Sequence, residues 1–236
     1  MRGLKPITYL LLIFAVPAVL AAASTPEKED TYSAGVFPGT RLESLSEKAV
    51  ETEFLLKSYD DGGVQKLYAV SDYNAFFYLD IEDIAAVLVD HDNGEKVFSR
   101  MVDTVDLNPE DDLSVPHRQR VHNSVKFLGI GADYIYTTLL TIERHTADEF
   151  ILHWKMLDCE EGNFEEYEGF WYLKKAVQSE GCLPGTYVRL RAETVFSDLM
   201  PFQELIMSMF TAGETIDVFD CLKRAVETRN NPTEVK

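Results

Sequence analysis

Cysteine is scarce in this chain: there are three in 236 residues, and Cys159, Cys182 and Cys221 lie far apart with no C-x-x-C pair. That number and spacing exclude a disulfide framework and a cysteine zinc site. If Cys159 and Cys182 occupy successive turns of a strand meander, they lie at opposite ends of the sheet, which disfavours a bridge; Cys221 is expected as a buried thiol. Histidine is thin as well. His91, His117, His122, His145 and His153 are scattered, and none forms H-E-x-x-H or another close ligand pair, so no metal site is predicted. The Asp90 segment "DHDNGE" has its glycine at the fifth position of a calcium loop rather than the sixth and lacks the closing glutamate. "GIGAD" around Gly129 lacks the third glycine and the following helix of a nucleotide fingerprint, and reads as a strand turn. There is no G-x-S-x-G elbow, and Cys221 has no histidine near it in sequence, so no catalytic residue and no cofactor are assigned.

Positive charge is also short, with 22 Lys and Arg against 40 Asp and Glu and a net charge of −18. Such a chain repels phosphate backbones. Nucleic acid is excluded as a partner, and an anionic membrane is a poor one away from any local basic patch. The plain role of this charge is to keep the protein soluble.

The one long apolar run is at the start, "MRGLKPITYLLLIFAVPAVLAAAS". Arg2 and Lys5 precede it, and Ala21, Ala22 and Ala23 follow as small residues a signal peptidase accepts. Residues 1–23 therefore read as an export signal, against the rival of a retained membrane anchor. No cysteine stands nearby to take a lipid. Cleavage removes two basic side chains and leaves a charge of about −20, with no stable membrane span expected afterwards. A periplasmic or secreted protein is expected, the periplasm being favoured by the lack of an N-x-S/T acceptor free of proline.

Residues 24–46, rich in Pro, Gly, Ser and charge without periodicity, read as a tether or irregular lead-in. Strands flank "DDGG" from Ala49 to Val70. "SDYNAFFYLDIEDIAAVLVDHDN" reads as two short helices, capped by Ser71 or Asp72 and by Asp80. Six alternating segments follow, separated by Gly, Asp, Asn or Pro, as in an antiparallel meander. Phe150, Leu152, Trp154 and Met156 share one face and Ile151, His153 and Lys155 the other; Val188, Leu190 and Ala192 oppose Tyr187, Arg189 and Arg191. One face is therefore expected dry and the other wet, with Arg189 and Arg191 pairing acids in solvent, or in a sharper version buried against an anionic head group. From Pro201 to about Thr228, apolar residues at three- and four-residue spacing predict a helix of about seven turns that covers the dry face.

This order of strand, two short helices, antiparallel strands and long final helix resembles the START-like superfamily, the helix-grip or SRPBCC fold of polyketide cyclases and lipid-transport proteins. "DIAAVLVDHDNGEKVFSRMVDTVDL", the G-x-W strand in "YEGFWYLKK", the GT-x-V strand in "GTYVRLRAETVF" and a helix opening "MPF" carry the likeness over Val64 to Val226. It implies an α+β fold, a curved antiparallel sheet wrapped around the C-terminal helix, over residues 47–228 with a tail at 229–236. It further implies a cavity for a hydrophobic small molecule or lipid between sheet and helix. The extra strand before Val64 and the export signal depart from the pattern, and the ligand class does not transfer with the fold.

Candidate ligand-binding residues are Tyr134, Tyr136, Trp154, Trp171 and Leu190 on strands, and Phe202, Ile206, Met209, Phe210 and Gly213 on the helix. Met207 and Met209 offer adaptable thioethers, or simply fill core; Gly213 frees volume, or marks close packing. Three functions stay open: a binder of a hydrophobic molecule, a solid-cored interaction module, and an enzyme of the cyclase or dehydratase kind relying on Tyr134, Tyr136 or Arg189. Oligomeric state is not readable.

Overall fold

A computed structural model describes residues 33–90, 94–108, 116–127, 130–178, 183–199 and 203–230, with side chains at all of these except 125–127, 130–132, 205–206 and 208–214. The expected export signal, Cys182, Pro201 and Phe202 lie outside them.

Among the described residues eight strands form one antiparallel sheet: β1 (Val50–Asp61), β2 (Val64–Phe77), β3 (Met101–Asp106), β4 (His117–Phe127), β5 (Ile130–His145), β6 (Glu149–Glu161), β7 (Phe164–Val177) and β8 (Pro184–Phe196). Their order is β1-β2-β8-β7-β6-β5-β4-β3, so the last strand closes back between the second and seventh. Helices α1 (Ile81–Leu88) and α2 (Gly94–Val97) link β2 to β3, and α3 (Gln203–Asn230) ends the described chain. Among the described residues no helix is long and apolar enough to cross a membrane.

Local chemistry explains the connections. Between β1 and β2, Gly62 and Gly63 take φ of 63° and 91°, which other residues resist, and Asp60 Oδ1 accepts from the Gly63 N–H at 3.0 Å. Asp80 caps α1, its carboxylate accepting from the Glu82 N–H at 3.1 Å.

The expected helix opening at Ser71 or Asp72 is absent. Ser71 to Phe77 continues β2 and pairs residue by residue with β8, Asp72 opposite Arg191 and Phe77 opposite Thr186. This stretch misleads because it is buried on both faces. Tyr73, Ala75 and Phe77 face one side and Asp72, Asn74 and Phe76 the other, all buried, so the polar alternation that marks a strand is lost.

The core lies between the concave face of the sheet and the helices. Phe77, Phe150, Leu152, Trp171, Leu173 and Val188 meet Ile84 and Leu88 of α1 and Phe219, Leu222 and Val226 of α3. Phe219 sits edge-on to Phe77 at 6.2 Å and tilted against Trp171 at 5.5 Å. Burying such side chains contributes roughly 1.5–3 kcal/mol each before entropy is counted. Cys221 of α3 is also buried, and its unbridged sulfur accepts from Arg224 Nη2 at 3.2 Å.

The opposite face is not wet. The lead-in folds across it: Ala34, Leu42 and Leu45 pack on Ile151, Phe170, Tyr172 and Tyr187. Gln178 Nε2 donates to the carbonyls of Leu42 and Leu45 at 3.0 and 2.6 Å, and the Phe76 N–H donates to Ser46 O at 3.0 Å. Alternation had assigned the faces correctly but could not show that this strap covers the outer one.

Candidate functional site

The concave face carries a continuous aromatic wall. Strand alternation and direct pairing put Tyr134 and Tyr136 of β5, Trp154 of β6, Tyr167 and Trp171 of β7 and Leu190 of β8 on that side. Tyr134 stacks on Phe164 with ring centres 4.4 Å apart. Tyr136 lies edge-on to Tyr167 at 5.6 Å, and Tyr167 is tilted against Trp154 at 5.9 Å. Gly169, opposite Trp154, makes room for the indole: a Cβ there would stand 2.2 Å from Trp154 Cζ2 and 2.3 Å from the Arg191 carbonyl oxygen.

Five expected site residues are thus brought together. Tyr134, Tyr136, Trp154, Trp171 and Leu190 are all buried, and Tyr167 bridges their two groups. Ile206, Met209, Phe210 and Gly213 lie on α3, but their side chains are outside the described set. Met207, the other helix thioether, packs beside Leu67, Ala69 and Phe196.

Polar groups interrupt this wall. Asn123 of β4, paired with Tyr134 across the ladder, donates through Nδ2 to the Tyr136 hydroxyl at 2.8 Å. Its Oδ1 is buried without a partner, and so is Trp154 Nε1. Burial pushes the Tyr136 phenol well above its ordinary value. Burial likewise raises Tyr167 to about 12, with the adjacent Trp154 indole pulling the other way, although that N–H forms no well-aligned hydrogen bond. Both tyrosines are therefore neutral donors at physiological pH. Neither Tyr167 nor Asn123 was singled out from sequence: the alternation of β7 does point Tyr167 inward with Trp171, but Asn123 sits in a strand of mixed polarity, and only the pairing register with β5 reveals its side.

The two arginines of β8 depart from expectation. Arg189 and Arg191 are 2% and 4% exposed, and Asp72 between them is 0% exposed. Arg189 Nη2 donates to Asp72 Oδ2 at 2.6 Å and Arg189 Nε to Asp72 Oδ1 at 3.0 Å. Arg191 Nη1 donates to Glu53 at 2.6 Å and to Asp72 at 3.2 Å, and Arg191 Nε to Glu193 at 3.0 Å. Burial alone would lower the Arg191 pKa, but Glu53 and Glu193 raise it overall. Thr52 and Tyr68 donate into the same carboxylates, to Asp72 and Glu193. The strap closes the cluster: Arg189 Nη1 donates to Gly35 O at 2.8 Å, and its guanidinium lies 5.1 Å from the ring centres of both Phe37 and Phe170. All of this is on the outer face. These arginines are buried, but against the protein's own acids, with no aim toward the aromatic wall.

His153 points outward as expected, with its ring 5.9 Å from Phe170 and Nε2 2.7 Å from Glu143. Among the described residues no group of three His, Cys, Asp or Glu is arranged to hold a metal.

Comparison with known proteins agrees with this architecture. A STAR-related lipid transfer protein from Xanthomonas axonopodis superposes with a TM-score of 0.55 at 12% identity, over 74% of this chain and 98% of its own. Human StAR-related lipid transfer protein 5 matches with a TM-score of 0.54 at 11% identity, over 76% and 89%. The Zhui aromatase/cyclase from Streptomyces sp. R1128 matches at 0.51 and 9% identity, over 71% and 98%. The chain therefore has the START-like, helix-grip fold. No protein-family model and no curated protein sequence matches it.

Proposed function

We propose that the protein binds a hydrophobic small molecule or lipid against the concave aromatic wall, beneath the amino-terminal part of α3, and that it does so after export to the periplasm or outside the cell, with residues 1–23 removed. The observation that carries this reading is the wall itself: Tyr134, Tyr136, Trp154, Tyr167 and Trp171 on one side of a gripping sheet, interrupted by two buried polar atoms, Asn123 Oδ1 and Trp154 Nε1, that make no well-aligned hydrogen bond among the described residues. Apolar burial would supply the affinity and the polar atoms the orientation. Similar structures that carry lipid-transfer names support the ligand class.

The second reading is the solid-cored interaction module, favoured by the carboxyl-terminal half of α3, where Phe219, Leu222 and Val226 are fully buried in the core. Native mass spectrometry of the protein taken from its own export compartment, with organic extraction, separates the two. A bound apolar mass is expected. A ligand-free mass together with failure to load lipid would shift the reading to the interaction module. The same spectrum gives the mass of the mature chain, and a chain that still carries residues 1–23 would remove the export reading.

A further inference from the structure

We infer that the groove between the carboxyl-terminal half of α3 and the α1–α2 segment binds a small organic anion, a phosphate or carboxylate on an apolar stem, through Arg224 and Arg229. This site shares no residue with the concave wall and does not depend on the binding function proposed above.

The groove has a volume of about 740 Å³. Val87 of α1, Val97 of α2 and Ala225 of α3 supply its apolar lining, and Arg224 and Arg229 stand on the α3 side. Both guanidiniums are held in place. Arg224 folds back on its own helix, donating from Nε to the Asp220 carbonyl at 3.3 Å and from Nη2 to the Cys221 sulfur at 3.2 Å. Arg229 reaches from α3 to α1, donating from Nη1 to the Ala86 carbonyl at 3.1 Å. Each of these acceptors is neutral. A guanidinium carries five N–H donors, so much of each fork is left for another group.

Charge selects the occupant. Neither arginine meets a carboxylate among the described residues, whereas Arg120, Arg144, Arg189 and Arg191 each do. With 40 acidic residues against 22 basic ones, the chain has acids to spare, and a guanidinium fork suits the paired oxygens of a phosphate or carboxylate. The acids of the groove do not fill that place. Asp90 and Glu95 line the α1–α2 side, and Glu95 Oε2 already accepts from the Thr104 hydroxyl at 2.9 Å. Their charge repels an anion from that side, which directs the head to α3 and the uncharged stem to Val87 and Val97.

The test is calorimetric titration of the full mature protein with phenyl phosphate, benzoate and the neutral benzamide. At least one of the two anions is expected to bind with one-to-one stoichiometry and about tenfold or more tighter than benzamide, as one charge-assisted hydrogen bond would provide. Its binding should weaken as salt is raised, and the tighter anion identifies the head. Arg224 and Arg229 are exposed, so Arg224→Gln and Arg229→Gln should keep the fold, and each should lower the anion's affinity by about tenfold while leaving benzamide unchanged. Failure of both anions to bind at millimolar concentration, benzamide binding as tightly as they do, or anion affinity unchanged in both variants overturns the inference and leaves the concave-wall reading standing. Should neither variant fold, the comparison with benzamide in the unaltered protein decides alone.

Discussion

The two faces of the sheet treat buried polarity in opposite ways. On the outer face a cluster of full charges is closed off: Asp72, Arg189, Arg191, Glu53 and Glu193 answer one another, and the strap's carbonyls and Phe37 seal the edge. One atom beneath the strap, Asn74 Oδ1, stays unpaired there. On the concave face there are aromatic rings and neutral hydroxyls, and two single atoms, Trp154 Nε1 and Asn123 Oδ1, make no well-aligned hydrogen bond. The costly groups sit where the protein completes its own bonding, and the cheaper, incomplete ones sit where a guest could finish it. Placing charge on the outer face ties the strap to the sheet through Arg189, which meets both Gly35 O and the Phe37 ring.

The comparison can be broken most forcefully at Asp72. Asp72→Leu leaves two buried guanidiniums short of their shared carboxylate, and a loss of about 3–5 kcal/mol is expected in denaturant unfolding. Adding Arg189→Met should recover a large part of that loss, because Arg191 retains Glu53 and Glu193. If the single variant is as stable as the parent, the outer cluster does not hold the strap face together.

A middle-sized effect is expected at Gly169. Gly169→Ala forces a methyl within 2.2 Å of the Trp154 ring and 2.3 Å of a backbone oxygen, so roughly 1–3 kcal/mol should be lost, and Trp154 fluorescence should shift as the indole moves. An unchanged spectrum would mean that the wall is not built around this glycine.

The smallest effect concerns alkaline pH. Burial raises Tyr167 to about 12 from an ordinary value of 10, so the unfolded chain releases this proton more easily than the folded one. The stability from this group is full below pH 10 and declines as pH rises from 10 to about 12. Phenolate absorbance should therefore develop late and follow unfolding; full titration near pH 10 in the folded protein would place Tyr167 in solvent.

Much of the fold was legible because strand periodicity is local. Phe150, Leu152 and Trp154 alternate with Ile151 and His153, and the concave and outer sides follow directly. Asp80 announced α1 by the same local logic, a carboxylate before an apolar stripe. Ser71 to Phe77 failed for a physical reason: with both faces buried, its polar residues serve non-local partners, so a strand imitated a capped helix. The site was half legible. Tyr134, Tyr136, Trp154, Trp171 and Leu190 declare themselves by type and parity. Asn123 does not, since its side depends on which residue of β5 it meets.

What the sequence determined by itself was the order of elements, the parity of strands such as β6 and β8, and the long apolar stripe of α3, all properties of neighbours within one or two turns. Only the tertiary structure decided what lies over each face and which charge meets which. Arg189 finds Asp72 from 117 residues away, and Ser33 to Ser46 finds the outer face across most of the domain. Such contacts depend on register and on loop closure between distant segments, and those are set by packing, where composition and periodicity have no say.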